Sequence, residues 1–469
     1  MQHHKTSVAF AALLRLGVPG LFGLLHWTVA AAGAPVPFAP AADSERVLYR
    51  DATLIDGTGA PPRMHMDVLV AGERIERVFP DVALSDDLAA KATVVDLRGR
   101  FLLPGLIDSH VHLATPPNRR QAEAILRRDL YGGVTAVRDM ADDLRAVGDI
   151  ARASLVGELA GPDVYYAALM AGPDFFSDER TAQTSAGGRP GHVPWMQAVT
   201  GATDLPIAVA QARGTYATAI KLYADLDAAL ARRITAEAHR QHLRVWAHAT
   251  LYPARPSEVV SAGVDTISHA CLLVREQAAR VPRLASPKGP VDLERFRSGS
   301  NPVLARLFLE MARRGVVLDA TVWTYGAPPP GPGSTPPLMP GGCDDVIGGA
   351  ITGQAYRAGV QIAAGTDNVA PSDDPWPDLF HELSALVENA GMPLSAVIQS
   401  ATLIGARSAG QEKSMGSIEP GKLANLVVLT SDPLASIDNL KSIEMTVKRG
   451  RRFERRDFVP LREGDIIDF

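Results

Sequence analysis

The sequence predicts an α/β protein in which a closed (β/α)8 barrel of the TIM type carries a small β-sandwich assembled from both chain ends. Three observations predict it. From about residue 101 to 410, short apolar runs alternate with amphipathic stretches, the pattern of successive parallel βαβ units. Eight such runs can be counted, the number that closes a barrel. The flanks, residues 45–100 and 411–469, hold short strand-like runs broken by Gly and Asp, each with too little apolar surface to stand alone.

The chain has 469 residues, 46% hydrophobic and 21% charged, the balance of a globular protein with room for one large and one small domain. Residues 1–32 differ from the rest. A short basic start ending at Lys5, an apolar run interrupted only by Arg15 and His26, and Ala30-Ala31-Ala32 have the layout of an export signal cleaved after Ala32. The apolar run also approaches the about 20 residues of a membrane span, so an uncleaved anchor is the alternative. A periplasmic or secreted chain is expected, and no later stretch is apolar enough to cross a membrane. Net charge is −5, which offers no basic face for nucleic acid. Cys271 and Cys343 cannot form a disulfide framework. They are either one bridge or two separate buried thiols.

Residues 47–57 and 66–75 read as strands of the small domain, joined near the other end by 426–430 and 442–447. The barrel strands are expected at 101–106 running on into two histidines, then 134–140, 164–170, 219–223, 244–248, 265–269, 316–322 and 361–367. Between them, 227–242 and 302–314 repeat apolar residues at three and four, as helices do. An open doubly wound sheet would place a Gly-rich phosphate turn after its first strand, where this chain has His110-Val111-His112. Two loops, 171–201 and the proline-rich 324–342, are too long for simple connections and would overhang the histidines.

Side chains two apart in a strand share a face, so His110 and His112 both point to the barrel axis at its C-terminal end. Other strand ends add polar residues at the same rim: Lys221, His248, His269 and Asp367. Nitrogen and oxygen donors without a thiolate suit Zn²⁺ or a similar divalent ion in a catalytic site. An ammonium at Lys221 would be repelled by such cations. Its head leaves the barrel, finds another partner, or is converted by CO₂ into a carbamate, an anion able to bridge two metals.

At this point the chain resembles the amidohydrolase superfamily, and within it the imidazolonepropionase-like group that includes metal-dependent prolidases and related dipeptidases. The resemblance lies in Gly105-Leu106-Ile107-Asp108-Ser109-His110-Val111-His112, Gly133-Val134-Thr135-Ala136-Val137-Arg138-Asp139, Ile220-Lys221, Ala247-His248-Ala249, Ser268-His269-Ala270, Ala364-Gly365-Thr366-Asp367 and the return at 416–429. Asn425 stands where the group usually has aspartate. The resemblance implies two divalent ions, with His110, His112 and Asp367 on one, His248 and His269 on the other, and N-carboxylated Lys221 bridging them. It further implies a shared hydroxide as nucleophile.

Asp367 is then expected to act as general base and acid, and Tyr223, two residues after Lys221, to donate to the carbonyl oxygen or merely to line the barrel. Arg138 and Asp139 could orient a neighbour or receive a substrate carboxylate. His381 with Glu382, His239, His242 and His192 are assigned to solvated positions. The expected reaction is amide hydrolysis of a small molecule, a dipeptide or N-acyl amino acid. A one-metal cyclic amidohydrolase of imidazolonepropionase type and a non-catalytic binding barrel are the alternatives, and a homo-oligomer is left open.

Overall fold

A computed structural model describes residues 42, 45–81, 91–283, 291–326, 342–367 and 374–460. The expected signal segment and most of the proline-rich loop lie outside the described residues. Among those described, no helix is long and apolar enough to cross a membrane.

The first five strands are β1 (Arg46–Leu54), β2 (Arg63–Ala71), β3 (Arg74–Pro80), β4 (Thr93–Asp96) and β5 (Phe101–Pro104). They join β16 (Leu426–Leu429), β17 (Ile443–Lys448) and β18 (Arg451–Glu454) in one sheet, ordered β18-β17-β16-β5-β1-β2-β3, with β4 on β1. The seam between the chain ends is the antiparallel pair β5/β16, in register from Phe101–Leu429 to Pro104–Leu426. Alternation along these two strands serves two cores. Leu102, Leu426 and Val428 pack with Val47, Tyr49, Val68 and Val447 inside the small domain, while Leu103, Val427 and Leu429 pack against the barrel. The β-sandwich from both ends is therefore present, and its two flanks share one apolar core. The side-chain oxygen of Asn425 accepts the Arg449 backbone N–H at 2.8 Å.

The barrel strands are β6 (Leu106–Val111), β7 (Val134–Asp139), β8 (Asp163–Ala171), β11 (Ala219–Leu222), β12 (Arg244–His248), β13 (Thr266–Ser268), β14 (Val317–Asp319) and β15 (Ile362–Ala363). All seven neighbouring pairs are parallel. The ring closes between β15 and β6 through Ser109 N–H to Ala364 O and Asp367 N–H to His110 O, both 2.8 Å. One expected boundary is corrected. Residues 101–104 belong to the sandwich, and the barrel begins at Leu106 after Gly105, where a Cβ would fall 2.2 Å from Thr135 Oγ1. Only glycine lets the chain pass between the two sheets there.

Helices cover the barrel and are started by side chains that accept from their own first turn. Asn118, Asp143, Asp204, Asp227, Asn301 and Asp344 each cap one, supplying partners for amides that the helix itself leaves unpaired. The expected helix at 227–242 is Ala228–Arg240 with Asp227 as its cap, burying Leu230, Ala231, Ile234 and Ala238. Pro302–Arg314 occupies its expected span and ends on Gly315 at φ 71°.

Residues 171–201 are more ordered than a plain loop. They hold a 3-10 turn (Pro173–Ser177), a short helix (Glu179–Thr184) and the hairpin β9 (His192–Val193) and β10 (Met196–Ala198), with β10 extending the C-terminal half of β8. Cys271 and Cys343 form a disulfide with Cα atoms 6.0 Å apart. The alternative of separate thiols is thereby removed.

Candidate metal centre

The period of two in β6 sends both His110 and His112 inward, and each ring is held from behind by a carboxylate. His110 Nδ1 lies 2.7 Å from Asp319 Oδ2 at the end of β14, and His112 Nδ1 lies 2.7 Å from Asp142 Oδ1 in the loop after β7. Asp142 is pinned in turn by Ala114 N–H at 2.6 Å and Thr115 Oγ1 at 2.6 Å. An imidazole that donates from Nδ1 presents a bare Nε2 on its other side. Both Nε2 atoms point at Asp367 Oδ1, at 3.2 Å and 3.4 Å. Two imidazole lone pairs and a carboxylate oxygen converge, an arrangement that calls for a cation or added protons.

His269 follows β13 and His248 ends β12, so both reach the same rim. Their rings are 4.7 Å apart, and His269 lies 4.9 Å from the ring of His110. One ligand atom each from His110, His269 and Asp367 lie within 4.8 Å of one another. His248 Nδ1 is buried without a hydrogen-bond partner among the described residues. A buried nitrogen left bare in this way is costly unless something further accepts its lone pair. The residues thus fit divalent metal: bare nitrogens, a convergent carboxylate, and carboxylates fixing two rings from behind. His269, Thr321 and Asp367 all have positive φ, at 78°, 49° and 53°, the local strain that accumulates where side chains are aimed for function.

Lys221 enters from β11, its side chain 1% exposed, with Nζ 3.4 Å from Ser268 Oγ. Burial pushes its pKa down to about 7, against the opposing charges of Asp319 and Asp367. Burial also lowers His269 to about 3 and His248 well below the imidazole range, with Lys221 adding to both. His112 goes the other way: burial alone would lower it, but Asp142 and Asp367 outweigh that and hold it well above its ordinary value. Burial would raise Asp367, yet the surrounding histidines keep it well below the carboxylate range. Tyr223 lies between His248 and Phe175, ring centroids 4.0 Å and 4.5 Å away, and is tilted against both.

Several residues were missed or misplaced by reading the chain alone. Asp319 ends β14 as the other site residues end their strands, a signal present in Val316-Val317-Leu318-Asp319 and passed over. Its Oδ2 takes His110, Ser268 Oγ at 2.8 Å and Arg138 at 3.2 Å. Arg138 is fully buried, donates to Ser109 O and Ser408 O, and lies over the Trp246 ring. It orients Asp319 and β6, and its side chain is 0% exposed. Asp139 likewise spends its oxygens on Leu113 N–H and Asp142 N–H.

Glu382 corrects a solvated assignment. It is 0% exposed, accepts the Trp323 N–H at 2.7 Å, and burial pushes its carboxyl up to about 8. Its neighbour His381 is half-exposed and stacks on Trp323, while His239 pairs with Asp265 at the surface. His192 and His242 are exposed. A helical period shows which positions share a face, not which face a long overhanging loop will cover.

The fold and this rim are similar to those of amidohydrolases. Residues 352–453 match the amidohydrolase family model. Among solved structures the chain is similar to a Xaa-Pro dipeptidase with bound methionine, at TM-score 0.68 and 23% identity over 87% of this chain and 100% of that one. A prolidase complexed with N-methylphosphonate-L-proline superposes at TM-score 0.65 and 22% identity, again over 87% and 100%. In sequence, a dihydroorotase of Leifsonia xyli subsp. xyli is 37% identical over 123 residues, which cover 25% of each chain. That match spans only about a quarter of the relative's length. At these identities the likeness to the dipeptidase and the prolidase is one of fold.

Proposed function

We propose that this protein is a binuclear metal-dependent amidohydrolase that cleaves a peptide-like amide bond, with dipeptides or N-acyl amino acids as its substrate class. The observation that carries the reading is the convergence of the His110 and His112 Nε2 atoms on Asp367, with His269 beside them. His110, His112 and Asp367 would hold one ion, His248 and His269 the other, with Lys221 between. Zn²⁺ suits this donor set. Bound divalent ions lower the pKa of water toward neutrality and polarise a carbonyl.

The protein's own groups supply the rest. Asp367, kept ionised by the histidines around it, takes the proton of the attacking water and returns it to the leaving amine, which could not depart as an anion. Tyr223 stands over His248 and donates to the carbonyl oxygen as charge develops there. Lys221 carries a neutral amine above about pH 7, the form that adds to CO₂ to give a carbamate. The segment 172–184 lays Phe175 on Tyr223, excluding water from that side and offering an apolar surface to a substrate side chain.

The disulfide supports an exported chain, because such bridges persist in oxidising compartments. A second reading, a one-metal cyclic amidohydrolase, draws on the tight three-donor set His110, His269 and Asp367. Assay of a dipeptide and N-acyl amino acid library with added Zn²⁺, alongside metal analysis, tests both. About two ions per chain and dipeptide turnover are expected; a single ion with turnover of cyclic amides alone would favour the second reading.

A further inference from the structure

Unlike His110 and His112, His269 has its Nδ1 against a hydroxyl, Thr321 Oγ1, at 3.1 Å. Asp367 Oδ2, at 3.8 Å, is beyond hydrogen-bond reach. A hydroxyl can give or take a proton, so Thr321 alone does not settle which nitrogen of His269 is bare.

Tyr325 settles it. Its hydroxyl lies 3.1 Å from Thr321 Oγ1, 3.2 Å from Ala320 O and 3.2 Å from the backbone N of Cys271. The phenol has one proton, and the Ala320 carbonyl, which can only accept, takes it. The Cys271 N–H can only donate, and it occupies one side of the phenol oxygen. What remains is a lone pair for the proton of Thr321, whose own oxygen is then free to accept from His269 Nδ1. The relay ends in a bare Nε2 on His269, the pattern His110 and His112 reach through carboxylates.

Tyr325 is itself clamped. Cys271 follows His269 by two residues and is bridged to Cys343, which precedes Asp344, the cap of helix Asp345–Arg357. Gly348 of that helix lies against the phenol: a Cβ there would fall 2.5 Å from the Tyr325 ring and 3.6 Å from Cys271 Sγ. Strand exit, disulfide, helix and ring therefore form one packed unit around Thr321.

We propose that Tyr325 is a positioning residue for the metal ligand His269, fixing its tautomer and ring direction through Thr321, with the Cys271–Cys343 bridge holding Tyr325's backbone partner in register. The proposal rests on the metal-centre reading above.

Two measurements test it. In the metal-free protein, ¹⁵N-histidine spectra assigned with His269→Asn should show His269 protonated at Nδ1, and Tyr325→Phe should convert it to a mixture of tautomers. Competition of Zn²⁺ with a chromophoric chelator should show the ion held by His269 weakened about 10- to 100-fold in Tyr325→Phe and Thr321→Val, and retained in Thr321→Ser. Cys271→Ala combined with Cys343→Ala should weaken the same ion. An Nε2-protonated His269 in the wild type, or unchanged spectra and Zn²⁺ affinity in Tyr325→Phe, overturns the proposal. A wild type with the expected tautomer but no Zn²⁺ affinity would instead sink the metal-centre reading.

Discussion

Asp319 Oδ2 sits 2.7 Å from His110 Nδ1 while Arg138 reaches the same oxygen at 3.2 Å, so one buried carboxylate at the end of β14 joins a metal-ligand candidate to a buried guanidinium. Burial would raise that carboxyl, but His110 and Arg138 hold it below its ordinary range. Asp319→Asn keeps the shape and removes the charge. Metal affinity should fall about 10- to 100-fold, as for other carboxylates behind metal-bound histidines. Zn²⁺ titration against a chelator reads this, and affinity equal to wild type would remove Asp319 from the site.

Lys221→Ala should lower metal content below that of wild type and abolish activity, as read by elemental analysis of the purified protein. Because burial brings the Lys221 amine to about 7, metal loading of the wild type should gain more from added bicarbonate at pH 8.5 than at pH 6, where the amine is mostly protonated. Unchanged metal content and activity in the variant would refute the bridging role.

Tyr223→Phe keeps the ring against His248 and removes only the hydroxyl. If that hydroxyl stabilises developing charge, kcat should drop about 10²- to 10³-fold with metal content unchanged. A change confined to KM would make Tyr223 a binding residue instead.

Glu382 predicts a pH dependence of stability. Its folded pKa, about 8, lies above the ordinary carboxylate value, so folding takes up a proton between the two. The stability contribution is complete below the unfolded pKa and is lost as pH rises toward and through 8. Glu382→Gln, which retains an acceptor for the Trp323 N–H, should melt higher than wild type at pH 8.5, with the gap closing toward pH 5. Parallel melting curves at all pH values would refute a neutral buried Glu382.

Much of the site was legible because it is written at strand ends. Period-two alternation makes His110 and His112 a pair, and Lys221, His248, His269 and Asp367 each close an apolar run, so their common level follows from local pattern. Glu382 was misread for the opposite reason: its helix has an apolar face, but the turn Trp323–Tyr325 that buries it arrives from a different part of the chain. The boundary at Gly105 was missed because one apolar run feeds two sheets.

From the sequence alone, the βαβ alternation and the polar rim determined a barrel with a converging donor set, since both are properties of neighbouring residues. Tertiary structure alone decided which ring nitrogens are held from behind, and by what. Asp319 and His110 are 209 residues apart, and Cys271 and Cys343 are 72. Whether such distant groups come within a bond's reach depends on how strands close and loops fold back, and no local period records it.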